Sequence, residues 1–352
     1  MKKRSFRKIW MVAMSVLLIF MATGCGKNNE KEEKKVTTSS GEELPVLRVA
    51  IMPFVTSLPT EYIVENNLDE KAGFKIETIM FSTGAPMNEA LAADEWDVGA
   101  MGAAAVTGVA NYDMMIIGEV LESTDGLAVF TKPDSKMAKV KGTNPSFPSV
   151  LGDADSVKGT TISLPVGTAQ HFTTLKWLEK IGLEGTDVNI VNMETAQAYQ
   201  ALQAGEADAT ALNVPTFFEA EKDGMVQVGN LADLGTRYVD MVVANRKAVE
   251  KKEELLQKYI SVLFEANAAL EADKEAAAEL MHQWLTDVGA ETSLENCKSD
   301  LERVFFISKE DMGERTIGTF AKELGEFYVD QGQLEPDVID KLDNNVIDKF
   351  TK

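Results

Sequence analysis

Cysteine and histidine are nearly missing, with two of each in 352 residues. So few soft ligands argue against a zinc centre or thiol-redox chemistry, and neither a metal nor a cofactor is expected. Cations are scarce as well: 35 Lys and Arg stand against 56 Asp and Glu, a formal charge of −21. Five of those cations (Lys2, Lys3, Arg4, Arg7, Lys8) fall in the first 24 residues, which hold no acid, so 30 face 56 beyond them, or −26. A surface this acidic repels phosphate backbones, and nucleic acid is not an expected partner. A membrane-spanning run is lacking too. The apolar stretch Ile9 to Ala22 has 14 residues, about 21 Å as a helix against a hydrocarbon core of ~30 Å. What is present is a 45% hydrophobic chain, long enough for roughly two or three folding units of ~100–150 residues, each able to bury a core without disulfides.

Basic residues followed by a short apolar run read as a secretory signal over 1–24. The segment ends in Ala22-Thr23-Gly24-Cys25. This resembles a bacterial lipobox, with Ala22 where Leu is usual, and implies lipidation at Cys25. Residues 25–45 carry Lys/Glu runs and Thr-Thr-Ser-Ser-Gly with little to bury, so they read as a tether. The expected location is the cell membrane, lipid-anchored on its extracytoplasmic face, with the membrane contacted only through the anchor. Cys297 has no partner in the mature chain except Cys25, so no structural disulfide is expected.

From Val46 onward, β-like and helical runs alternate. Strands are predicted at 47–51, 74–81, 97–100 and 114–121, with helices at 60–67, 86–93 and 103–111 between them. Such βαβ alternation implies a mostly parallel sheet with helices on both faces. A strand at 126–131 precedes an irregular stretch, 132–158, containing Pro133, Pro145, Pro148 and Gly142. The alternation then restarts, with strands at 160–164, 188–192, 209–213 and 225–228 and helices at 168–181, 196–204 and from Pro215. The run Ala90-Leu91-Ala92-Ala93-Asp94-Glu95-Trp96-Asp97 aligns with Ala201-Leu202-Gln203-Ala204-Gly205-Glu206-Ala207-Asp208. A repeat this long fits two similar lobes and not a solenoid. After a returning strand at 238–244, the chain is mainly helical. The expected units are lobe 1 from 46–130 and 236–352, including the helical tail, and lobe 2 from 131–235. Two crossings then form a hinge, with a cleft between the lobes.

In open α/β sheets ligands bind beyond the carboxyl ends of strands, where loops enter helix N-termini. Here those loops are 53–59, 82–86, 101–104, 165–170, 193–195 and 213–215. Ser82-Thr83-Gly84-Ala85 and Val166-Gly167-Thr168-Ala169 are small and polar, so backbone N–H groups can approach a ligand, and helix starts favour anionic groups. Thr83 and Thr168 either add hydroxyl donors or cap their own helices. The candidate ligand-binding residues are Thr56, Ser57, Thr83, Gly84, Gly102, Ala103, Asp125, Thr168, Ala169, Gln170, His171 and Asn213. Asp125, in the turn Glu122-Ser123-Thr124-Asp125 at the first crossing, either meets an ammonium group or belongs to a solvated turn. No arginine lies in these loops, which disfavours a di- or tricarboxylate. A small oxyanion, or the anionic end of a zwitterion, needs only amides.

The stretches Thr83 to Leu91, Val98 to Gly102, Val157 to Ile162, Val166 to His171 and Ala201 to Asp208, followed by Asn213-Val214-Pro215, resemble a known family. It is the nitrate, sulfonate and taurine group of solute-binding proteins of ATP-binding-cassette (ABC) importers, which includes binders of thiamine-precursor pyrimidines. The resemblance implies an α/β, two-lobed type II periplasmic-binding-protein fold: each lobe a mostly parallel sheet flanked by helices, with two crossover hinge strands. It also implies a protein that takes a small organic anion or zwitterion, sulfonate-, taurine- or nitrate-like, from solution to the subunits of an ABC permease. A monomer is expected, and no enzymatic activity, since no nucleophile–base pair stands out. The family often has an aromatic-acid-Pro sequence where this chain reads Asn213-Val214-Pro215. Pyrimidine binding or biosynthesis on the same fold, and a ligand-presenting sensory receptor, are the competing expectations.

Overall fold

The computed structural model describes residues 34–37, 41, 43–141, 143–290 and 292–352. The expected signal segment, Cys25 and the first part of the tether lie outside the described residues. Twelve strands are assigned among those described: β1 (Lys35–Thr37), β2 (Glu43–Ile51), β3 (Lys75–Met80), β4 (Val98–Met101), β5 (Met114–Ser123), β6 (Leu127–Thr131), β7 (Thr161–Leu164), β8 (Asn189–Asn192), β9 (Ala209–Asn213), β10 (Val226–Asn230), β11 (Tyr238–Asn245) and β12 (Val304–Phe306). They form two sheets. The larger runs β1-β2-β4-β11-β5-β12, with β3 also on β2, and the smaller runs β10-β6-β9-β7-β8.

The sheets share one plan. In the first, β3, β2, β4 and β5 run one way, and β11 lies reversed between β4 and β5. In the second, β8, β7, β9 and β10 run one way, and β6 lies reversed between β9 and β10. Each reversed strand enters from the other half of the chain. The expected parallel sheets are therefore present, each with one antiparallel insertion made by a crossing strand.

The internal repeat has a physical meaning in this plan. Asp97 and Asp208 stand just before the equivalent strands β4 and β9. The Arg48 N–H donates to Asp97 Oδ2 at 2.8 Å, and the Asp97 N–H donates to the Arg48 carbonyl at 2.9 Å. In the second sheet the Thr161 N–H donates to Asp208 Oδ2 at 2.8 Å, and the Asp208 N–H to the Thr161 carbonyl at 2.8 Å. Each aspartate thus locks its strand to the neighbouring one at the sheet's entry end. Asp97 also meets Arg48 Nη2 at 2.6 Å and Lys252 Nζ at 2.8 Å. Burial alone would raise its pKa, but the hydrogen bonds from Arg48 and Lys252 outweigh it and hold the carboxylate below its usual range.

Three expectations need correction. Leu127–Thr131 was expected at the end of lobe 1, yet β6 belongs to the second sheet. All five of its residues are buried, and it pairs with β9 and β10, so the first crossing falls at residues 124–126. The tether was expected to run to residue 45. Instead Lys35–Thr37 pairs in register with Glu43–Pro45, because a backbone ladder needs no apolar side chains to form. The tail contributes a strand as well as helices, since β12 pairs with β5.

The tail covers the first sheet and reaches the second lobe. Asn267 Nδ2 donates to the Val120 and Ile307 carbonyls at 2.9 and 2.7 Å, tying helix Glu253–Ala272 to β5. From helix Thr319–Asp330, Phe320 and Phe327 pack edge-on against Phe172 of helix Ala169–Lys180, with centroids 6.1 and 5.8 Å apart. Cys297 is buried, and burial pushes its thiol up to about 11, so it is inert. Among the described residues, no helix is long and apolar enough to cross a membrane.

Candidate functional site

Helix Gly84–Ala92 follows β3 in the first lobe, and helix Ala169–Lys180 follows β7 in the second. Their N-caps, Thr83 and Thr168, both have extended backbones, and neither hydroxyl accepts a backbone N–H of its own helix. Their hydroxyls turn instead to other protein groups, Thr83 Oγ1 to Glu194 Oε2 at 3.5 Å and Thr168 Oγ1 to the Pro165 carbonyl. Both line one cavity of about 90 Å³ between the lobes, together with Gly84, Ala169 and Gln170. The first-turn amides of each helix lack intrahelical partners, and Pro86 has no N–H, so Gly84 and Ala85 are the free donors on one side. Ala169 and Gln170 supply donors from the other.

A polar chain fixes the second-lobe wall. Thr168 Oγ1 donates to the Pro165 carbonyl at 2.6 Å and lies 2.9 Å from Gln170 Oε1. Gln170 Nε2 donates to Asn213 Oδ1 at 2.8 Å and to Thr195 Oγ1 at 3.1 Å. Across the mouth, Ser82 Oγ donates to Glu194 Oε2 at 2.9 Å, linking the lobes directly. A wider groove of about 710 Å³ lies beside the cavity and shares Phe54 and Thr83 with it.

Nine of the twelve candidates line the cavity: Thr56, Thr83, Gly84, Gly102, Asp125, Thr168, Ala169, Gln170 and Asn213. Ser57, Ala103 and His171 do not, each for a local reason. The Ser57 hydroxyl accepts the Met52 N–H at 2.9 Å and braces the loop after β2. The Ala103 N–H donates to the Tyr238 hydroxyl, which caps the helix that follows. His171 accepts the Gly167 N–H on Nδ1 at 3.2 Å and stacks on Tyr328 with centroids 6.1 Å apart. Burial drives its pKa down to about 4, so it is a neutral packing residue. The glycines also serve another end than expected. A Cβ on Gly84 would stand 2.5 Å from the Ala104 Cβ, and one on Gly102 would stand 2.0 Å from the Tyr238 hydroxyl oxygen. At both, protein atoms take the space that a side chain would need, while both also line the cavity.

Sequence reasoning missed two carboxylates. Asp240 on β11 and Asp300 on helix Leu294–Leu301 both line the cavity, and both are buried. Burial pushes each up to about 7. The Thr56 hydroxyl hydrogen-bonds Asp240 and partly offsets that rise, while near Asp300 the Arg303 cation lowers and Asp125 raises. Asp125 itself accepts the Gly126 N–H at 2.6 Å and meets Arg303 Nε at 3.2 Å. Asp240 had a sequence signal, an acid in the otherwise apolar strand Tyr238-Val239-Asp240-Met241-Val242. Asp300 had none, because its place depends on where the tail folds. Three aspartates line this cavity, and no Lys, Arg or His does.

Comparison with known proteins places the geometry in context. The model of the NMT1-like family matches residues 40–286. A protein of Brachyspira hyodysenteriae, named as an ABC transporter periplasmic binding protein, is 39% identical over 343 residues, covering 97% of both chains. The taurine-binding periplasmic protein of Escherichia coli is 23% identical over 204 residues, covering 57% of this chain and 59% of that one. Among solved structures, the alkanesulfonate-binding protein of Xanthomonas axonopodis pv. citri superposes with a TM-score of 0.67 at 19% identity, covering 86% of this chain and 98% of that chain. The periplasmic nitrate-binding protein of Synechocystis PCC 6803 gives 0.66 at 13% identity, covering 87% of each. The fold is thus the two-lobed one of periplasmic binding proteins, and with the family's model spanning most of its length, the chain belongs to the NMT1-like family.

Proposed function

We propose that the chain is the solute-binding lipoprotein of an ABC importer. In this reading residues 1–24 are removed and Cys25 carries the lipid. Lobe 1 with its tail and lobe 2, divided at residues 124–126 and 231–237, close over a small organic zwitterion and present it to the permease. The solute is released chemically unchanged. One observation carries the reading: N-cap threonines from opposite lobes, Thr83 and Thr168, line one cavity at the starts of their helices, and neither hydroxyl accepts a first-turn N–H. That arrangement surrounds the anionic end of a solute with amide donors from two helix starts, and it exists only when the lobes meet. The three aspartates favour a solute that also carries a cation over a bare oxyanion such as nitrate. The named relatives bind taurine, alkanesulfonates and nitrate, which fits the donor set without fixing the ligand.

The test is thermal-shift screening of the full chain against sulfonates, nitrate, amino acids and pyrimidines, followed by calorimetry on each hit. A ligand bound only by the folded state raises the melting temperature by mass action. Thr168→Ala is expected to weaken binding of the hit about tenfold while leaving the fold intact. Unchanged affinity would remove the assigned site, and conversion of the hit into another compound would turn the reading towards an enzyme.

A further inference from the structure

The cavity's charge, which the receptor reading takes only as favouring a cation-bearing solute, can be resolved residue by residue. Its lining holds Asp125, Asp240 and Asp300 and no cationic side chain. The three come from unrelated elements: the turn between β5 and β6, strand β11 and helix Leu294–Leu301. Asp125 has a protein partner, since Arg303 Nε lies 3.2 Å from its Oδ2. Asp240 and Asp300 are only 7% and 5% exposed, and neither forms an ion pair among the described residues. Thr56 is the one side-chain donor that reaches Asp240, and Arg303 directs its Nε at Asp125 although Asp300 lies within range of its charge. Buried carboxyl groups elsewhere in the chain are matched: Asp97 by Arg48 and Lys252, Glu119 by Arg315. Holding a buried carboxylate ionised without a counterion costs several kcal/mol, a cost that a cation in the cavity would offset.

Resting on the receptor reading above, we infer that Asp240 and Asp300 are the specificity determinants of the cleft and select a small organic amine or amidine. The protonated nitrogen sits between the two carboxylates. The rest of the solute lies towards the helix starts at Gly84 and Ala169, where an anionic group is accommodated but not required. The cavity of about 90 Å³ is smaller than the ~150 Å³ that accepts benzene, so the buried end has only a few heavy atoms. An ammonium or amidinium also supplies several donors, enough to serve both carboxyl groups and leave one for the Asn213 side of the wall. Selection on positive charge would set this chain apart from relatives named for alkanesulfonates and nitrate and bring it nearer the one named for taurine, whose ligand carries an amine.

The test uses four small probes on the full chain: 2-aminoethanesulfonate, ethanesulfonate, ethylamine and acetamidine. Calorimetry and thermal shift are read at neutral pH. The amine-bearing sulfonate is expected to bind at least a hundredfold more tightly than the amine-free one, and ethylamine or acetamidine to raise the melting temperature. Asp240→Asn and Asp300→Asn should each lower affinity for the amine probes at least tenfold while melting no lower than the parent, which separates lost recognition from lost folding. Ethanesulfonate binding as well as its amino counterpart, or affinities untouched by both substitutions, overturns the inference and leaves the receptor reading standing. Silence from all four probes also overturns it, and a hit of another class in the wider panel would still support the receptor.

Discussion

Replacing Asp240 by Asn is expected to stabilise the empty protein, by an amount that depends on pH. Asp240 is buried beside the Thr56 and Tyr238 side chains, and burial raises its carboxyl from the ordinary 3.8 to about 7. Each tenfold change in proton affinity is worth ~1.4 kcal/mol, so holding this group ionised in the fold costs roughly 4 kcal/mol. Between about pH 4 and pH 7 the folded chain keeps a proton that the unfolded chain has released, so stability is lost as pH rises through that window. Asp240→Asn abolishes the titration. It should match the parent near pH 4 and exceed it by roughly 4 kcal/mol at pH 8. At about 2 cal/mol/K per residue, a chain of this size would melt roughly 6 °C higher at pH 8. Scanning calorimetry at pH 4, 6 and 8 on protein stripped of ligand by unfolding and refolding checks this. Asp97→Asn is the contrast. Its carboxylate is held below the usual range by Arg48 and Lys252, so the substitution should destabilise at every pH above 4. An Asp240→Asn protein no more stable than its parent at pH 8, or a gap that does not change with pH, would refute the reasoning.

His171 gives the opposite slope on the acid side. Its folded value of about 4 lies below the ordinary 6.5, so as pH falls from 6.5 to 4 the unfolded chain gains a proton that the folded chain refuses, and about 3 kcal/mol is lost. The difference in urea midpoint between parent and His171→Phe at pH 7 and pH 4.5 measures that loss, and a constant difference would remove it. Gly102→Ala should cost about 1–3 kcal/mol, because the new methyl meets the Tyr238 ring and hydroxyl at once. Denaturant unfolding reads the cost, and a neutral result would mean that β11 yields more readily than its burial suggests.

The lobes were legible in the sequence because local signals agreed with the global plan. Period-2 and period-3.6 runs alternated without conflict from Val46 to Val228, and the acid before β4 recurred before β9. The loops beyond β3, β7 and β9 could be named as site walls because fold geometry dictates where a parallel sheet opens. What stayed hidden depended on distant segments. Tyr238 decides that Ala103 is capped and that Gly102 must lack a side chain, yet nothing near Gly102 announces it. Tyr328, in the tail, turns His171 from a cleft-facing residue into a packed one. Asp300 reaches the cavity only because the tail returns across both lobes. The glycines were read correctly as positions of close approach, but whether ligand or protein approaches is not written in a single loop.

The matched locks at Asp97 and Asp208 have a mechanical consequence. Each pins two strands within one lobe, and neither spans the gap, so they resist shear inside a sheet without tying the lobes together. In the receptor reading proposed above, opening would be left to the short connections at 124–126 and 231–237, with the contacts of Phe172 to Phe320 and Phe327 as the surface that must slide. Swing would then come from a few backbone torsions, while the cavity walls travel undeformed.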